Sequence, residues 1–413
     1  LTSCNHDLSD HFGVSDNPSE GGGSTPAAAP TYLKWNDGTQ ALEAVEIPDA
    51  PSMTSTTTTW SGTYIVSEDV TIDDDVTLGG DVDLIMLDGK TLTLTDDHWI
   101  TASTNYTLNI YGQSTTTGAG KLVVNTTTSK NFSINVVSGT VNIHSGIVSA
   151  TATNGNSFAV WSKNMNVYGG EVEAKGFKVG LKVDNLNILG GKVTAENGDG
   201  AATWAIESST IIIDGATTSV TAKGGKAIYD GGNGDAASQG INVKTSMTIN
   251  DGEVIVTGGD GITGMGNGAV ALYVPNPTAS LTVNGGSLTA TGGKGVGGGS
   301  GGQGGHGIEA LLTISGDASV TTAGGDSDKS SVHAGNGIRG GVAYQSGTIS
   351  ATGGLNTANP SNNGKGVDAA ITNYTAATVT FQYSKNGSDW TSFDINASGI
   401  EIVPEIARWF RKQ

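Results

Sequence analysis

The chain has one cysteine, Cys4, so no disulfide can form among its 413 residues. Charge is also scarce. Only 14 % of residues are charged, and 20 basic residues stand against 39 acidic ones, for a net charge of −19. That balance argues against nucleic acid and against an anionic lipid surface as partners. No apolar run reaches the length of a membrane span. The histidines (His6, His11, His98, His144, His306 and His333) show no zinc-ligand spacing, and arginine occurs only at Arg339, Arg408 and Arg411. Neither an EF-hand loop nor a Gly-Gly-x-Gly-x-Asp array is present.

What is abundant is glycine, with 64 residues, set among alternating Val, Ile, Leu, Ala and Thr. This composition describes an all-β chain with many turns rather than a disordered one. One unit recurs: an alternating run, a glycine turn, a second alternating run and often Gly-Gly. Examples are VNIHSGIVSATA (141–152), MNVYGGEVEAKG (165–176), LNILGGKVTAENG (186–198), MTINDGEVIVTGG (247–259), LTVNGGSLTATGG (281–293) and LTISGDASVTTAGG (312–325). The turn glycines fall at 146, 170, 191, 215, 252, 286, 316 and 347. A third short strand fills the gaps, as in FAVWS (158–162), GINVK (240–244), GIEAL (307–311) and GIRGG (337–341). Three short strands per repeat, with no helices between them, predict a right-handed single-stranded parallel β-helix. In that fold a coil buries its apolar side only by stacking on its neighbours. Period-2 alternation then turns Ile188, Val193, Ile249, Val254, Val283 and Leu288 inward. A β-propeller or stacked sandwiches would need many tight hairpins, and the clear Asn-Gly signal, Asn386-Gly387, lies at the far end.

The expected organisation is a tether over 1–31, the β-helix with its N-terminal cap over 32–371, and a C-terminal hairpin and cap over 372–413. Open ends of a β-helix are exposed strand edges. Residues 32–60 and 372–413 are therefore expected to close the two ends. Residues 378–395 read as a hairpin and PEIARWFRKQ (404–413) as a short helix-like segment.

Leu1-Thr2-Ser3-Cys4 is an aliphatic residue, two small residues and a cysteine, which resembles a bacterial lipobox. The resemblance implies cleavage before Cys4, a lipid on its thiol, and residues 1–3 as the stub of a signal peptide. The Gly/Ser/Pro/Ala-rich run that follows suits a tether. Asp7 and Asp10 resemble the surface-export signal of Bacteroidota lipoproteins. The expected location is the outer-membrane surface, with the membrane reached through the lipid alone.

Five long loops leave the second strand by Gly-Gly and re-enter through x-Gly: 224–240, 258–268, 292–307, 324–337 and 353–366. Stacking must place them along one edge, about 4.8 Å per coil. Their carboxylates and amides suit sugar hydroxyls or Ca²⁺. The expected ligand residues are Asp230, Asp235, Asp260, Asn267, Asp326, Asp328 and Asn336, with the rings of Tyr229 and His333 to stack on sugar. A second acidic group, Asp73, Asp74, Asp75, Asp81, Asp83, Asp88, Asp96 and Asp97, reads as a solvated acidic edge or a Ca²⁺ site. Arg339 falls near His333, Glu309 and Asp368 on adjacent coils, the one basic position that could belong to a catalytic cluster.

The units LTVNGGSLTATGG and LNILGGKVTAENG, with DGKTL (88–92) in the opening coils, resemble β-helix carbohydrate-binding surface proteins, a lyase-like family, over about residues 60–370. That resemblance implies Ca²⁺-assisted, non-catalytic binding of a plant or host polysaccharide. Two alternatives stay open: a polysaccharide lyase or hydrolase, and a structural or adhesin component of a surface complex with protein partners.

Overall fold

The computed structural model describes residues 29–412 except 96, 230–233, 236, 263–265, 276–278, 298–300 and 404–406. At 229, 234, 235 and 402 it describes the backbone alone. Among the described residues the only helix is a single 3₁₀ turn, Pro360–Asn362. No helix there is long and apolar enough to cross a membrane.

The chain winds as a parallel β-helix with three faces per coil. In the central coils one long strand supplies two faces, bending between them. Phe158–Val167 pairs in parallel with Phe132–Ile143 on one side and with Val179–Ile188 on the other. Its first half (158–162) lies on the first face and its second half (164–167) on the second. In later coils these halves are separate strands, as in Ile308–Glu309 and Leu312–Ile314. The third face is a 14-stranded sheet. From Val70–Ile72 to Thr348–Thr352 every neighbouring pair in it is parallel.

Each face contributes a column of inward apolar side chains in register. On the second face Ile188, Ile213, Ile249, Val283 and Ile314 stack one per coil. On the third face the column is Val193, Val220, Val254, Leu288 and Val320. All six positions expected to face inward are 0 % exposed. The turn glycines explain the repeat spacing. All eight have positive φ, from 63° to 102°, a conformation that strains any residue with a Cβ.

The Gly-Gly pairs have a different cause. Gly225, Gly259, Gly293, Gly325 and Gly354 stack so closely that a Cβ on each of the last four would overlap the carbonyl oxygen of the glycine one coil earlier. These carbonyls are backbone and cannot rotate away. Gly325→Ala is therefore expected to lower stability by about 2 kcal/mol, the scale of an overpacked core, read as a lower melting temperature. An unchanged melting temperature would mean that the coils separate freely at this corner.

Outside the helix, the hairpin Thr31–Asn36/Ala41–Glu46 does not sit on the N-terminal end. It lies on the flank, across three successive coils. Tyr32 packs edge-on to Tyr111 and Trp35 stacks on Tyr168, with His144 sandwiched between Tyr111 and Tyr168. The Trp35 N–H donates to His144 Nδ1 at 2.9 Å. The end itself is closed by 51–60, where Met53 and Trp60 are buried and Met53 N–H bonds the Ile65 carbonyl at 2.8 Å. The expectation that 32–60 acts as one cap is thus divided between two places. The aromatic residues of the hairpin find their partners at a corner of the helix rather than at its mouth.

The far end is covered by antiparallel strands. Val379–Ser384 and Trp390–Ile395 form the expected hairpin. Trp409–Lys412 is a strand, inserted between Thr348–Thr352 and that hairpin. It replaces the expected helix-like ending because it fills an open parallel edge and buries Phe410 against Phe381. Asn373, fully buried, ties this cap down. Its Nδ2 donates to the carbonyls of Ala377 and Ile395 at 2.9 Å each, and its Oδ1 accepts from the Thr375 N–H.

Candidate functional site

Outward positions of the first face form a column as regular as the core beneath it. Asn135, Trp161, Lys182, Glu207, Asn242, Tyr273, Glu309 and Arg339 stand one per coil in register. Asp368 continues the column through the Ile338–Val367 bridge. At one end Trp99, Phe132 and Phe158 stack face to face, with Trp161 tilted about 40° against Phe158. Lys182 lies over the Phe158 and Trp161 rings. In the middle the buried carboxylate of Glu207 takes Lys244 Nζ at 2.6 Å and Lys182 Nζ at 3.5 Å.

Beside this face runs the loop edge. The loops do stack: Gly259, Gly293, Gly325 and Gly354 N–H groups bond carbonyls of the preceding coil at Ser238, Ala269, Gly305 and Gly335. The loop carboxylates, however, take part in the stacking. Asp260 Oδ1 accepts the Lys294 N–H at 2.8 Å, and Asp326 Oδ1 accepts the Leu355 N–H at 2.7 Å. Asp199, which the sequence reading passed over, does the same for Lys226. Asp328 accepts from the Gly297 N–H, and Asn267 Oδ1 from Gly302 and Gln303 at 3.0 and 2.9 Å. Asp199, Asp260 and Asp326 thus each close one N–H of the next coil, Asn267 closes two, and Asp328 reaches back to the coil before it, leaving at most the second polar atom of each side chain outward. Asp260 also borders an open groove of about 540 Å³ with Lys175, Glu196, Asp199 and Lys226. Tyr229 and Asp235 belong to a short antiparallel pair, Ile228–Tyr229 with Gly234–Asp235, seen as backbone. Asp230 and Cys4 lie outside the described residues.

His333 and Asn336 do converge with other groups. They line a cavity of about 330 Å³ with Gln303, His306, Arg339, Asn363, Lys365 and Asp368. Here the loop edge meets the first face. Arg339 Nη1 pairs with Glu309 at 3.2 Å, and Lys365 Nζ with Asp368 at 2.7 Å. Asn336 is spent on the scaffold: its Nδ2 donates to Asp368 at 3.0 Å and its Oδ1 accepts from the Lys365 N–H at 2.9 Å. His306, 7 % exposed, accepts the Asn336 N–H on Nδ1 at 2.9 Å. Burial, seconded by the Arg339 charge, pushes its pKa down to about 4, so the ring is neutral at pH 7.

The N-terminal acidic group is dispersed by the fold. Asp81 and Asp97 accept backbone N–H groups one coil on, Asp83 takes the Asn109 amide and Asp88 the Ser114 hydroxyl. Asp75 holds Lys130 at 2.5 Å and His98 at 3.1 Å. Asp96 lies outside the described residues. Among the described residues no three His, Cys, Asp or Glu side chains gather in a way that could hold a metal ion.

Sequence reasoning placed Arg339, Glu309, Asp368 and His333 near one another but missed Gln303, His306, Asn363 and Lys365. It also missed the first-face column. A usable signal was present: aligning FAVWS, GLKVD, AIES, INVK, GIEAL and GIRGG puts Trp161, Lys182, Glu207, Asn242, Glu309 and Arg339 at one position. Compared with family models, with curated proteins and with solved structures, the chain matches none.

Proposed function

We propose that this chain is a cell-surface lipoprotein, tethered through Cys4, whose β-helix binds an extended polysaccharide without cleaving it. The observation that carries the reading is the first-face column. It sets aromatic, amide and charged side chains once per coil along a parallel sheet, about 4.8 Å apart, a spacing close to one sugar unit. Trp161, Lys182, Tyr273, Glu309 and Arg339 are the accessible members, with Glu207 and Asn242 buried between them. A polymer lying along such a row would make weak contacts coil by coil, and affinity would build from their number. The cavity at Arg339 and the loop edge beside it extend the same track. Calcium would act through the outward carboxylate oxygens that the coil-to-coil bonds leave over.

The test is retention of the full chain in gels containing neutral and acidic polysaccharides, with and without Ca²⁺. Retention by at least one polymer, with Trp161→Ala weakening it severalfold, is the expected result. Failure on every polymer would remove the reading. A rise in absorbance from unsaturated ends during incubation would replace non-catalytic binding with a lyase. In membrane fractions of cells expressing the complete gene, Cys4→Ala should move the protein to the soluble fraction.

A further inference from the structure

The cavity between loop edge and first face contains an unmet donor, the His306 Nε2–H, beside the Arg339 guanidinium. His306 Nδ1 is occupied by the Asn336 N–H, so the neutral ring carries its proton on Nε2. Nε2 lies 3.5 Å from Arg339 Nη1. A guanidinium has only donors, so two N–H groups face one another with no acceptor between them. Among the described residues nothing accepts from the His306 Nε2–H, although the residue is more than nine-tenths buried.

The nearby carboxylates do not fill this role. Glu309 is paired with Arg339 Nη1 at 3.2 Å, and both Asp368 oxygens are engaged by Lys365 and Asn336. The Asn363 amide spends its oxygen on the Asn356 N–H at 2.7 Å, which leaves its NH₂ as a further donor on the cavity wall. Around Arg339 and His306 the free capacity is therefore donor, inside a chain whose net charge is −19.

We propose that the cavity takes an oxyanion borne by a sugar of the polymer, a carboxylate or a sulfate, held between the Arg339 guanidinium and the His306 Nε2–H. The inference rests on the polysaccharide reading above and narrows it to acidic glycans. Arg339 is oriented for the task by Glu309, which uses one part of its fork and leaves the remaining N–H groups to the ligand. His306 donates to the ligand itself, its ring held in place by the Asn336 N–H of the next coil.

The experiment compares polygalacturonate, its methyl ester, dextran sulfate and dextran, each in affinity gels with the full chain. The wild type should be retained by polygalacturonate and by its methyl ester only roughly tenfold more weakly, about 1.4 kcal/mol. Arg339→Gln should abolish that difference while melting with the wild type, and Arg339→Lys should restore part of it. Retention by dextran sulfate, lost in the same variant, identifies sulfate as the favoured group. Equal retention of acid and ester by the wild type would overturn the oxyanion site and leave polysaccharide binding standing. An independent arm follows the ¹⁵N signals of His306 as free galacturonate is added. A shift with the acid and none with its methyl ester would uphold the site even if no polymer were retained. No shift, with no discrimination between polymers, would remove it.

Discussion

Val254→Asp is expected to destroy cooperative folding of the central coils. Val254 is 0 % exposed and lies in the third-face column between Val220 and Leu288. A carboxylate placed there has no donor in reach, because the neighbours above, below and across are apolar. Burying it costs several kcal/mol, or forces its protonation, against a total stability of about 5–15 kcal/mol for an ordinary domain. The strand cannot relieve the cost by slipping. A one-residue shift would turn Glu253 and Ile255 inward and break the ladders on both sides. The matched control is Ile255→Asp, one residue along the same strand but on the outward side between Thr221 and Thr289. That chain should melt close to the wild type. Circular dichroism melts of the two variants decide the matter, and a Val254→Asp protein melting with the wild type would contradict the inward assignment.

The same alternation explains how much of the molecule was legible in advance. Inward columns, turn glycines and stacked loops all follow from local rules repeated coil after coil. Gly286 at φ 65° needs no knowledge of its neighbours to be recognised as a turn. What escaped depends on contacts set by register across whole coils. Asp326 looked free for a ligand because its hydrogen-bond partner, Leu355, lies 29 residues on and is brought close only by stacking. The hairpin carrying Trp35 is a strong local signal, but nothing local says that it docks on Tyr168 rather than on the end of the helix. The terminal segment from Trp409 has helix-compatible residues, and the open edge at Thr348–Thr352 overrides that preference. His306 stood in a glycine-rich run with no pattern of its own. Its role appears only once Asn336 and Arg339 are stacked beside it.

His306 and His144 share a geometry with a measurable consequence. Each is a buried, neutral imidazole whose Nδ1 accepts a backbone N–H, from Asn336 and from Trp35. Burial pushes both down to about 4, with Arg339 adding to the effect at His306 and Lys34 at His144. In the unfolded chain a histidine takes its proton near pH 6.5. Between those values the unfolded state binds more protons, so stability falls as pH falls. The contribution is complete above pH 6.5 and is lost by about pH 4. At 1.36 kcal/mol per pKa unit, it amounts to roughly 3 kcal/mol for each ring. Asp97 does not blur this window. The Thr128 hydroxyl and then the Thr128 N–H hold its carboxyl below the usual range, so its protonation comes at more acid pH. Denaturant midpoints measured from pH 7.5 to 4 should therefore drop steadily below pH 6.5. His144→Gln, which keeps an acceptor but cannot titrate, should remove about half of the drop. Because His144 holds the flanking hairpin through Trp35, proteolytic cutting within 31–46 should rise over the same interval in the wild type. Midpoints that stay level from pH 7 to 4.5 would show that the two rings are not held neutral by the fold.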